Sequence, residues 1–281
     1  MRKIPIVLLI LLLLTIGLLT YIHFFSGDKK FSIVFFNVGQ GDAALIRLES
    51  GTKILVDCGQ DRKILSKLGK YLPFFDREID YLIISHPDTD HYGGCVDVLK
   101  RYEVKNIVTN GTEKKDDQFW VAWDNTAKKE VEKITTIIKP EVWNLEGNKF
   151  EFLAPDDSLS LDLKNADNNN RSVVFKFTNS FTSVLFAGDM EEILEKALVE
   201  KYCGESADDC PELEAEILKV GHHGSDSSTG EILLEVVNPD TAIISVGKNK
   251  FGHPSLRAMR RLERAGADIL RTDEEGDIMI R

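Results

Sequence analysis

Short runs of β-branched and aromatic residues recur along most of the chain and are separated by turn-forming residues. The runs at residues 31–38, 53–56 and 81–84 have the length of ordinary strands, and Gly, Asp or Pro follows each within a few positions. This pattern predicts buried strands. Stretches at residues 65–72 and 256–265 mix apolar and charged residues and predict helices. The chain from residue 31 onward is therefore expected to combine strands and helices.

The N-terminal pattern is different, because residues 4–25 contain no Asp, Glu, Lys or Arg and are rich in Leu and Ile. A helix over this stretch would be about 33 Å long, which is enough to cross a bilayer. Arg2 and Lys3 precede it, and no small-residue cleavage site follows it. We therefore predict one uncleaved transmembrane helix, with residues 1–30 as membrane anchor and juxtamembrane segment.

Composition and charge limit the number of domains and the kinds of ligand that residues 31–281 can have. The 281 residues are 43% hydrophobic, which is enough for one large or two small domains. The polar motifs are spread evenly after residue 31, so residues 31–281 are predicted to form one domain. The formal net charge is −11, whereas nucleic-acid-binding proteins usually show a basic surface. The charge therefore argues against tight, nonspecific binding of DNA.

The strongest chemical signal follows the run at residues 81–84. His86, Asp88, Asp90 and His91 lie within six positions and precede Gly93-Gly94. Imidazole and carboxylate groups crowded on one loop repel one another unless protons or a cation hold them, and together they suit a first-row divalent metal ion. The alternative is a polar surface turn, since Pro, Asp and Gly all favour turns. The spacing alone favours a metal site.

Six further motifs occur in order along the chain. They are Asn37-Val-Gly-Gln-Gly-Asp42, Ile54-Leu-Val-Asp-Cys-Gly59, Asn169-Asn-Arg-Ser172, Phe186-Ala-Gly-Asp189, Leu218-Lys-Val-Gly-His-His-Gly-Ser225 and Gly252-His-Pro-Ser255. With the His86–His91 loop they resemble the metallo-β-lactamase superfamily, and most specifically the metallo-β-lactamase-like domain of ComEC-type proteins of DNA uptake and competence. The resemblance implies an α+β fold, an αββα four-layer sandwich, here preceded by the transmembrane helix.

The resemblance also implies roles for individual residues around two divalent metal ions. The implied metal ligands are His86, Asp88, Asp90, His91, Asp189 and His222. Asp189 would bridge both ions, and catalysis would depend on Asp90 and on His253 facing the substrate. Residues behind the ligands or next to the substrate would be Asp57, His223, Asn169, Ser172 and Asp42. Spacing does not decide between His222 and its neighbour His223 as the ligand; His222 is preferred.

Two departures from the superfamily pattern concern the first metal site. Asp88 stands where a second His is usual, and no His lies near Asn169 and Ser172, where a third metal-binding His is expected. Carboxylate oxygen suits harder ions better than imidazole does. We therefore expect either Zn²⁺ or Mn²⁺, and Asn169, Ser172 or water would complete the first site.

Cysteines bear on the compartment of the domain. Cys203 and Cys210 bracket a polar, acidic loop in which a disulfide would close a small ring. A disulfide persists in an oxidising compartment, whereas two free thiols in a surface loop are the alternative. Together with the predicted anchor, this favours a cell-membrane protein whose catalytic domain lies outside the cytoplasm.

Three functions are compatible with these features. The leading hypothesis is a metal-dependent hydrolase that resembles the ComEC nuclease domain and cleaves phosphodiester bonds, DNA above all, with a metal-activated water. The second is a hydrolase of a small ester, lactone or phosphodiester, which needs no basic groove. The third is a metal-binding accessory of DNA uptake without catalysis, which the absent third His keeps open.

Overall fold

The computed structural model describes residues 3–25, 30–159, 168–204 and 210–281. Two seven-stranded sheets contain all its strands within these ranges. The first sheet has the spatial order β14-β1-β2-β3-β4-β5-β6 and consists of β1 Ser32–Phe35, β2 Ala44–Arg47, β3 Lys53–Val56, β4 Glu78–Ile83, β5 Glu103–Thr109, β6 Lys133–Thr136 and β14 Ile278–Ile280. The C-terminal strand β14 pairs with β1 in antiparallel register and so closes one edge of this sheet.

The second sheet is built from the other half of the chain. It has the order β13-β12-β11-β10-β9-β8-β7 and consists of β7 Glu141–Leu145, β8 Asn148–Ala154, β9 Val174–Thr178, β10 Ser183–Phe186, β11 Ile217–Lys219, β12 Thr241–Ile244 and β13 Asp268–Arg271. Strands β10 to β13 are parallel neighbours, as are β3 to β6 in the first sheet. Each sheet therefore has one edge at which several parallel strands end together.

Helices cover the outer face of each sheet. On the first sheet lie α2 Lys63–Tyr71, α3 Thr89–Tyr92, α4 Cys95–Arg101 and α5 Gln118–Glu130. On the second lie α6 Glu192–Cys203, α7 Glu231–Val237 and α8 Leu256–Ala265, and α9 Thr272–Glu275 precedes β14. Apolar side chains of these helices form one buried cluster against each sheet. The described domain is thus α+β with two sheets between helical layers, as the sequence predicted.

A third apolar cluster fills the space between the two sheets. Aromatic side chains dominate it: the ring of Phe186 stacks on those of Phe35 and Phe175, with centroid distances of 5.7 and 4.6 Å. All three are fully or almost fully buried. Such large buried rings contribute strongly to stability, because apolar area removed from water is worth roughly 25 cal/mol per Å². This core fixes the two sheets face to face.

The first helix, α1 Lys3–Phe25, contradicts the predicted membrane anchor. Within the described residues, no helix is both long enough and apolar enough to span a membrane. In α1 the described side chains are those of residues 5–20, and they are exposed. The prediction of a transmembrane helix is therefore wrong, and the juxtamembrane residues 26–29 lie outside the described part of the chain.

Candidate metal centre

The predicted site residues come together where parallel strands of the two sheets end. Asp57 follows β3, the His86–His91 loop follows β4, Asp189 follows β10, and the His222-His223 pair follows β11. Because parallel strands run in one direction, their carboxyl ends meet at the same edge, which is where α/β sheets place ligands. The fold therefore gathers motifs that are more than a hundred residues apart in sequence.

A glycine turn fixes the position of the His86–His91 loop, which is called here the metal loop. Gly41 has a φ of +125°, and a Cβ at this position would lie 2.3 Å from the carbonyl oxygen of Asp90. The same carbonyl accepts a hydrogen bond from the backbone N–H of Asp42, at 3.1 Å. Only glycine allows so close an approach of backbone to backbone. The turn after β1 thus positions the backbone of Asp90.

The ring of His91 is oriented from behind by Asp57. The Nδ1 atom of His91 lies 2.9 Å from Oδ2 of Asp57, and the backbone N–H and hydroxyl of Ser85 donate to the same carboxylate at 2.8 and 2.7 Å. A carboxylate that accepts these bonds leaves Nδ1 of His91 as the donor. The Nε2 atom of His91 consequently presents its lone pair to the cluster. The structure places Asp57 where the resemblance implied.

His223 is oriented in a similar way at the second sheet. Its Nδ1 donates to the carbonyl of Ser245 at 2.9 Å and lies 3.2 Å from Oδ1 of Asp42, whose other oxygen is 2.5 Å from the ammonium of Lys219. Its Nε2 lies 3.2 Å from Oδ2 of Asp90. Asp42, His223 and Lys219 are all buried. The ring is thus fixed with Nε2 facing the acidic cluster.

One end of the cluster, called here the buried end, consists of Asp90, His91 and His223. Their ligand atoms lie within 4.8 Å of one another, and both imidazole rings are buried. Asp189 contacts both rings: its carboxylate oxygens lie 3.2 Å from Nε2 of His91 and 3.5 Å from Nε2 of His223. Two imidazoles and two carboxylates converging at such distances form a donor set that suits a divalent ion.

The other end, called here the open end, consists of His86, Asp88 and His222. The Nε2 atoms of His86 and His222 each lie 3.9 Å from Oδ2 of Asp189, and Nε2 of His86 lies 3.8 Å from Oδ2 of Asp88. The side chains of Asp88 and His222 are 34% and 22% exposed. Asp189 therefore lies between the two ends and faces both.

Asn169 and Ser172, which were predicted to complete the first metal site, contact the histidines of the open end. Ser172 places its hydroxyl 3.4 Å from Nδ1 of His86 and accepts a hydrogen bond from the backbone N–H of Asp189 at 3.1 Å. The side-chain amide of Asn169 is 3.5 Å from Nδ1 of His222. These contacts place both residues behind histidine rings, on the side away from Asp189.

Charge and burial explain how strongly the cluster favours a cation. Burial and the neighbouring His91 lower the pKa of His86 to about 4. Burial also disfavours the charged form of His223, but Asp189 and Asp42 outweigh it and raise its pKa to about 10. Burial opposes ionisation of Asp189 too, yet His91 and His223 hold its pKa well below the usual value. The ionised carboxylates thus favour a positively charged ligand at the cluster.

Unpaired buried atoms support a metal as that occupant. Among the described residues, Nε2 of His86, Nε2 of His91 and Oδ1 of Asp189 are buried and have no hydrogen-bond partner. A buried polar atom without a partner costs about 1–3 kcal/mol, so native proteins rarely leave several of them facing one point. Coordination to divalent ions would satisfy all three. The residues present therefore fit a metal centre.

His253 lies beside the open end. Its ring centroid is 5.4 Å from that of His222 and 6.5 Å from that of His223, and its Nδ1 is buried without a partner among the described residues. Burial and the neighbouring His222 lower the pKa of His253. The structure thus brings His253 next to the cluster, where the resemblance placed a substrate-facing residue.

Several residues around the cluster had not been predicted. Glu191 accepts from Ser227 and Asn170 and lies 3.1 Å from Nδ1 of His222, so it orients that ring. Lys114 forms an ion pair with Asp88 at the open end. An acidic residue at the start of a helix is usually a capping or dipole effect, so the sequence gave no reason to assign Glu191 to the site.

Both cysteine pairs are disulfides. Cys203–Cys210 matches the predicted small ring, although residues 205–209 within it lie outside the described ranges. Cys58–Cys95 joins residues 37 positions apart and had not been predicted. It lies beneath the metal loop, since the backbone N–H of Cys58 donates to the carbonyl of His91 at 2.7 Å. The disulfide thus ties the base of this loop to α4.

Comparison with known proteins agrees with this geometry. A family model for the metallo-beta-lactamase superfamily matches residues 36–248, which include the metal loop, Asp189 and both His222 and His223. The chain belongs to the metallo-beta-lactamase superfamily. The fold of this superfamily is typical of metal-dependent hydrolases and binds divalent ions, often two.

Relatives also confirm the more specific resemblance. The chain is 30% identical over 266 residues to ComE operon protein 3 of Bacillus subtilis (strain 168), an alignment that covers 87% of this chain and 32% of that protein. It is 28% identical over 269 residues to Competence protein ComA of Neisseria gonorrhoeae, covering 94% of this chain and 34% of that protein. The chain therefore spans about a third of the length of these curated relatives.

A solved structure shares the fold at low sequence identity. The metallo-beta-lactamase fold protein YhfI from Bacillus subtilis superposes with a TM-score of 0.58 and 13% identity, covering 89% of this chain and 100% of that one. At this identity the similarity concerns the fold alone. Sequence and fold together thus show a metallo-beta-lactamase superfamily domain that is related to competence proteins.

Proposed function

We propose that the domain is a dinuclear metal-dependent phosphodiesterase whose substrate is DNA. The observation that supports this proposal most directly is the position of Asp189 between two donor groups. Asp90, His91 and His223 would hold one ion at the buried end, and His86, Asp88 and His222 would hold the other at the open end. Two bound divalent ions would activate a water and stabilise the charge that develops on a phosphate oxygen.

The protein's own part in this chemistry is to hold the donors in fixed orientations. Asp57 fixes the ring of His91, the Ser245 carbonyl fixes that of His223, and Glu191 fixes that of His222. Such supporting contacts set the tautomer of a ligand histidine and raise its basicity. His253, beside the open end, would contact the substrate phosphate or donate a proton to the leaving oxygen.

The choice of metal follows from the donors at the two ends. The buried end supplies imidazole nitrogens from His91 and His223, which suit Zn²⁺ as well as Mn²⁺. The open end adds the carboxylate of Asp88, where a nitrogen ligand is usual in the superfamily, and oxygen ligands favour Mn²⁺ over Zn²⁺. We infer that Mn²⁺ and Zn²⁺ both bind and that Mn²⁺ is favoured at the open end.

The choice of DNA is supported by relatives rather than by total charge. One relative is named a competence protein, and competence is the uptake of DNA. The net charge of −11 opposes polyanion binding over most of the surface. The charge is distributed unevenly, however, because no Asp or Glu occurs between Gly247 and Leu262. A hydrolase of small carboxyl esters needs no such binding surface and is the outcome that would replace this proposal.

One series of reactions tests the proposed substrate. Protein reconstituted separately with Mn²⁺ and Zn²⁺ receives single-stranded DNA, duplex DNA, a chromogenic phosphodiester and a chromogenic carboxyl ester. We expect the phosphodiester and DNA to be cleaved and the ester to remain intact. The variant His91→Ala controls for contaminating nucleases, because it should lose metal and cleavage together. Cleavage of the ester alone, with either metal, would contradict the proposal.

We also propose that the domain operates in an oxidising compartment outside the cytoplasm. Both disulfides, Cys58–Cys95 and Cys203–Cys210, would be reduced by cytosolic thiols. Alkylation of protein taken directly from intact cells, before and after reduction, measures the state of the four thiols. Resistance to alkylation until a reductant is added is expected. Full labelling without reductant would contradict an oxidising location.

A further inference from the structure

The segment that follows β12 concentrates positive charge in an acidic chain. Between Gly247 and Leu262 the sequence has no Asp or Glu, although the whole chain has a net charge of −11. The cationic residues of this segment are Lys248, Lys250, Arg257, Arg260 and Arg261. All of them except Arg261 are exposed. A local basic surface of this kind attracts a polyanion even when the protein as a whole repels it.

The two lysines of this segment are available to a ligand. Among the described residues, no carboxylate lies within 4.0 Å of the ammonium groups of Lys248 or Lys250, whereas the guanidinium of Arg261 is paired with Glu192 at 2.6 Å. Exposed Phe251 follows them, with 63% of its surface accessible, and the ammonium of Lys250 lies 5.5 Å from its ring centroid. Cations flanking an accessible aromatic ring are what single-stranded nucleic acid binds.

The loop that presents these side chains is held in a defined shape. The carboxamide oxygen of Asn249 accepts from the backbone N–H groups of Phe251 and His253 at 3.0 and 3.1 Å, and its amide donates to the carbonyl of His253 at 2.7 Å. At its base, a Cβ on Gly247 would lie 2.4 Å from the backbone of Gly39. Two independent sets of contacts thus fix the loop. Binding of a ligand should therefore cost little conformational entropy of the loop.

A continuous series of aromatic rings connects this loop with the metal centre. The ring of Phe251 stacks on that of His253, with centroids 5.7 Å apart and planes inclined by 29°. The ring of His253 is 5.4 Å from that of His222, whose Nε2 lies 3.9 Å from Asp189. The exposed ring of Phe251 therefore lies only two side chains away from the cluster. A nucleotide held there would place a neighbouring phosphate at the open end.

We propose that Lys248, Lys250 and Phe251 form a platform for single-stranded DNA beside the metal centre. A base would stack on Phe251, and the two ammonium groups would neutralise phosphates on either side of it. An intact duplex keeps its bases stacked and so cannot offer a base to the ring. The platform rests on the proposed function, since it supplies the binding surface that the acidic remainder of the protein lacks.

Binding experiments test the platform without cleavage. The full chain, freed of metal with a chelator, is titrated against fluorescent oligodeoxythymidine and against a duplex, and anisotropy is followed over a range of salt concentrations. Phe251→Ala should weaken single-strand binding by about tenfold or more, because stacking is worth roughly that factor per base. Lys248→Gln with Lys250→Gln should weaken binding and lower the slope of log K against log salt by about 1.4.

Matched control variants are taken near the amino ends of β4, β5 and β6, because the metal centre lies at the carboxyl ends of the strands. Phe74 is 79% exposed and precedes β4, far along the strand from the metal loop, so Phe74→Ala removes an equally accessible ring. Lys100 precedes β5 and Lys133 begins β6, so Lys100→Gln with Lys133→Gln removes the same charge at that end. Both controls should bind the oligonucleotide as the unaltered protein does. Circular dichroism and metal content of all variants should also match.

The outcomes separate this proposal from the proposed function. If the unaltered protein cleaves DNA but Phe251→Ala binds the oligonucleotide equally well, the platform is disproved and the nuclease proposal stands. If the unaltered protein neither binds nor cleaves DNA and hydrolyses only the ester, both fail. A basic loop with an exposed aromatic ring also suits an anionic lipid surface. If Phe251→Ala loses binding to phosphatidylglycerol vesicles but binds the oligonucleotide as the unaltered protein does, the DNA platform is likewise disproved.

Discussion

The buried end and the open end of the metal centre are constructed on different principles. At the buried end, His91 and His223 are buried and each ring is fixed by a hydrogen bond from Nδ1. At the open end, Asp88 is half-buried and paired with Lys114, and the ring of His222 is 22% exposed. The clearest contrast is between the two neighbouring histidines of one turn, since the side chain of His223 is 2% exposed and that of His222 is 22% exposed.

The difference suggests that the two ends bind their metal ions with different strength. Histidine donors that are buried and oriented in advance would bind their ion tightly, because little reorganisation is needed on binding. Partly exposed donors with other polar partners allow water and substrate to share the coordination of the second ion. We therefore expect strong binding at the buried end and exchange with substrate at the open end, beside His253 and Phe251.

Removal of the shared carboxylate should have the largest effect on both ends. Asp189→Ala deletes the carboxylate that contacts histidines of both, so reconstituted protein should contain fewer than two equivalents of metal and hydrolysis should fall to the background rate. Elemental analysis and the phosphodiester assay measure these two quantities. Asp268→Ala, an exposed carboxylate on β13, is the control and should change neither. Two equivalents of metal in Asp189→Ala would disprove the shared role.

Substitution of the adjacent histidines separates the two ends. His223→Ala removes a buried donor, leaves Asp90 without this partner and leaves Asp42 with Lys219 alone, so it should lose the tightly bound ion and destabilise the fold by about 3–5 kcal/mol. His222→Ala should keep that ion and lose only the exchangeable one. Metal titration and thermal unfolding of both variants measure the difference. Equal metal loss in the two variants would remove the distinction between the ends.

Substitution of His253 should lower turnover while sparing both ions. His253→Ala removes a side chain that lies beside the open end but contacts neither carboxylate of the metal loop, so metal content should match that of the unaltered protein. Hydrolysis should fall by roughly 10²–10⁴-fold if the ring donates a proton to the leaving oxygen. Loss of metal in this variant would instead make His253 a ligand.

Weakening the support behind His91 should have the smallest effect. Asp57→Asn keeps the size of the side chain but removes the charge that orients the ring, and such changes cost roughly 10–100-fold in metal affinity. Competition with a chelating dye measures the affinity. Asp61→Asn, at an exposed position on the same connection, serves as control. An unchanged affinity in Asp57→Asn would show that the fold alone orients His91.

Those parts of the fold and site that depend on contiguous sequence could be predicted. The His86–His91 loop is a compact signal, and it lies after a buried strand as expected. Trp120 and Trp123, three positions apart in sequence, lie on one face of α5, and both are buried against Tyr92, which follows the metal loop. Periodicity and local motifs are sufficient where chemistry and packing involve neighbours in sequence.

Other features depend on conformation or on distant pairs. His222 and His223 both have positive φ, of 47° and 54°, so the direction of each ring follows from an unusual backbone that spacing does not reveal. The buried pair of Lys219 and Asp42 and the disulfide between Cys58 and Cys95 join segments far apart in the chain. The predicted transmembrane helix is wrong, since no helix in the described part of the chain is both long enough and apolar enough to span a membrane.

Two divalent ions bound at the two ends would lie close together, and Asp189 is placed to bind both. Electron paramagnetic resonance of protein titrated with Mn²⁺ tests this arrangement directly, because two Mn²⁺ ions roughly 3.5–4 Å apart are magnetically coupled. The account predicts two bound equivalents with a coupled spectrum, which Asp189→Ala converts to that of isolated ions. Binding of no more than one equivalent, or of two equivalents with the spectrum of isolated ions, would contradict it.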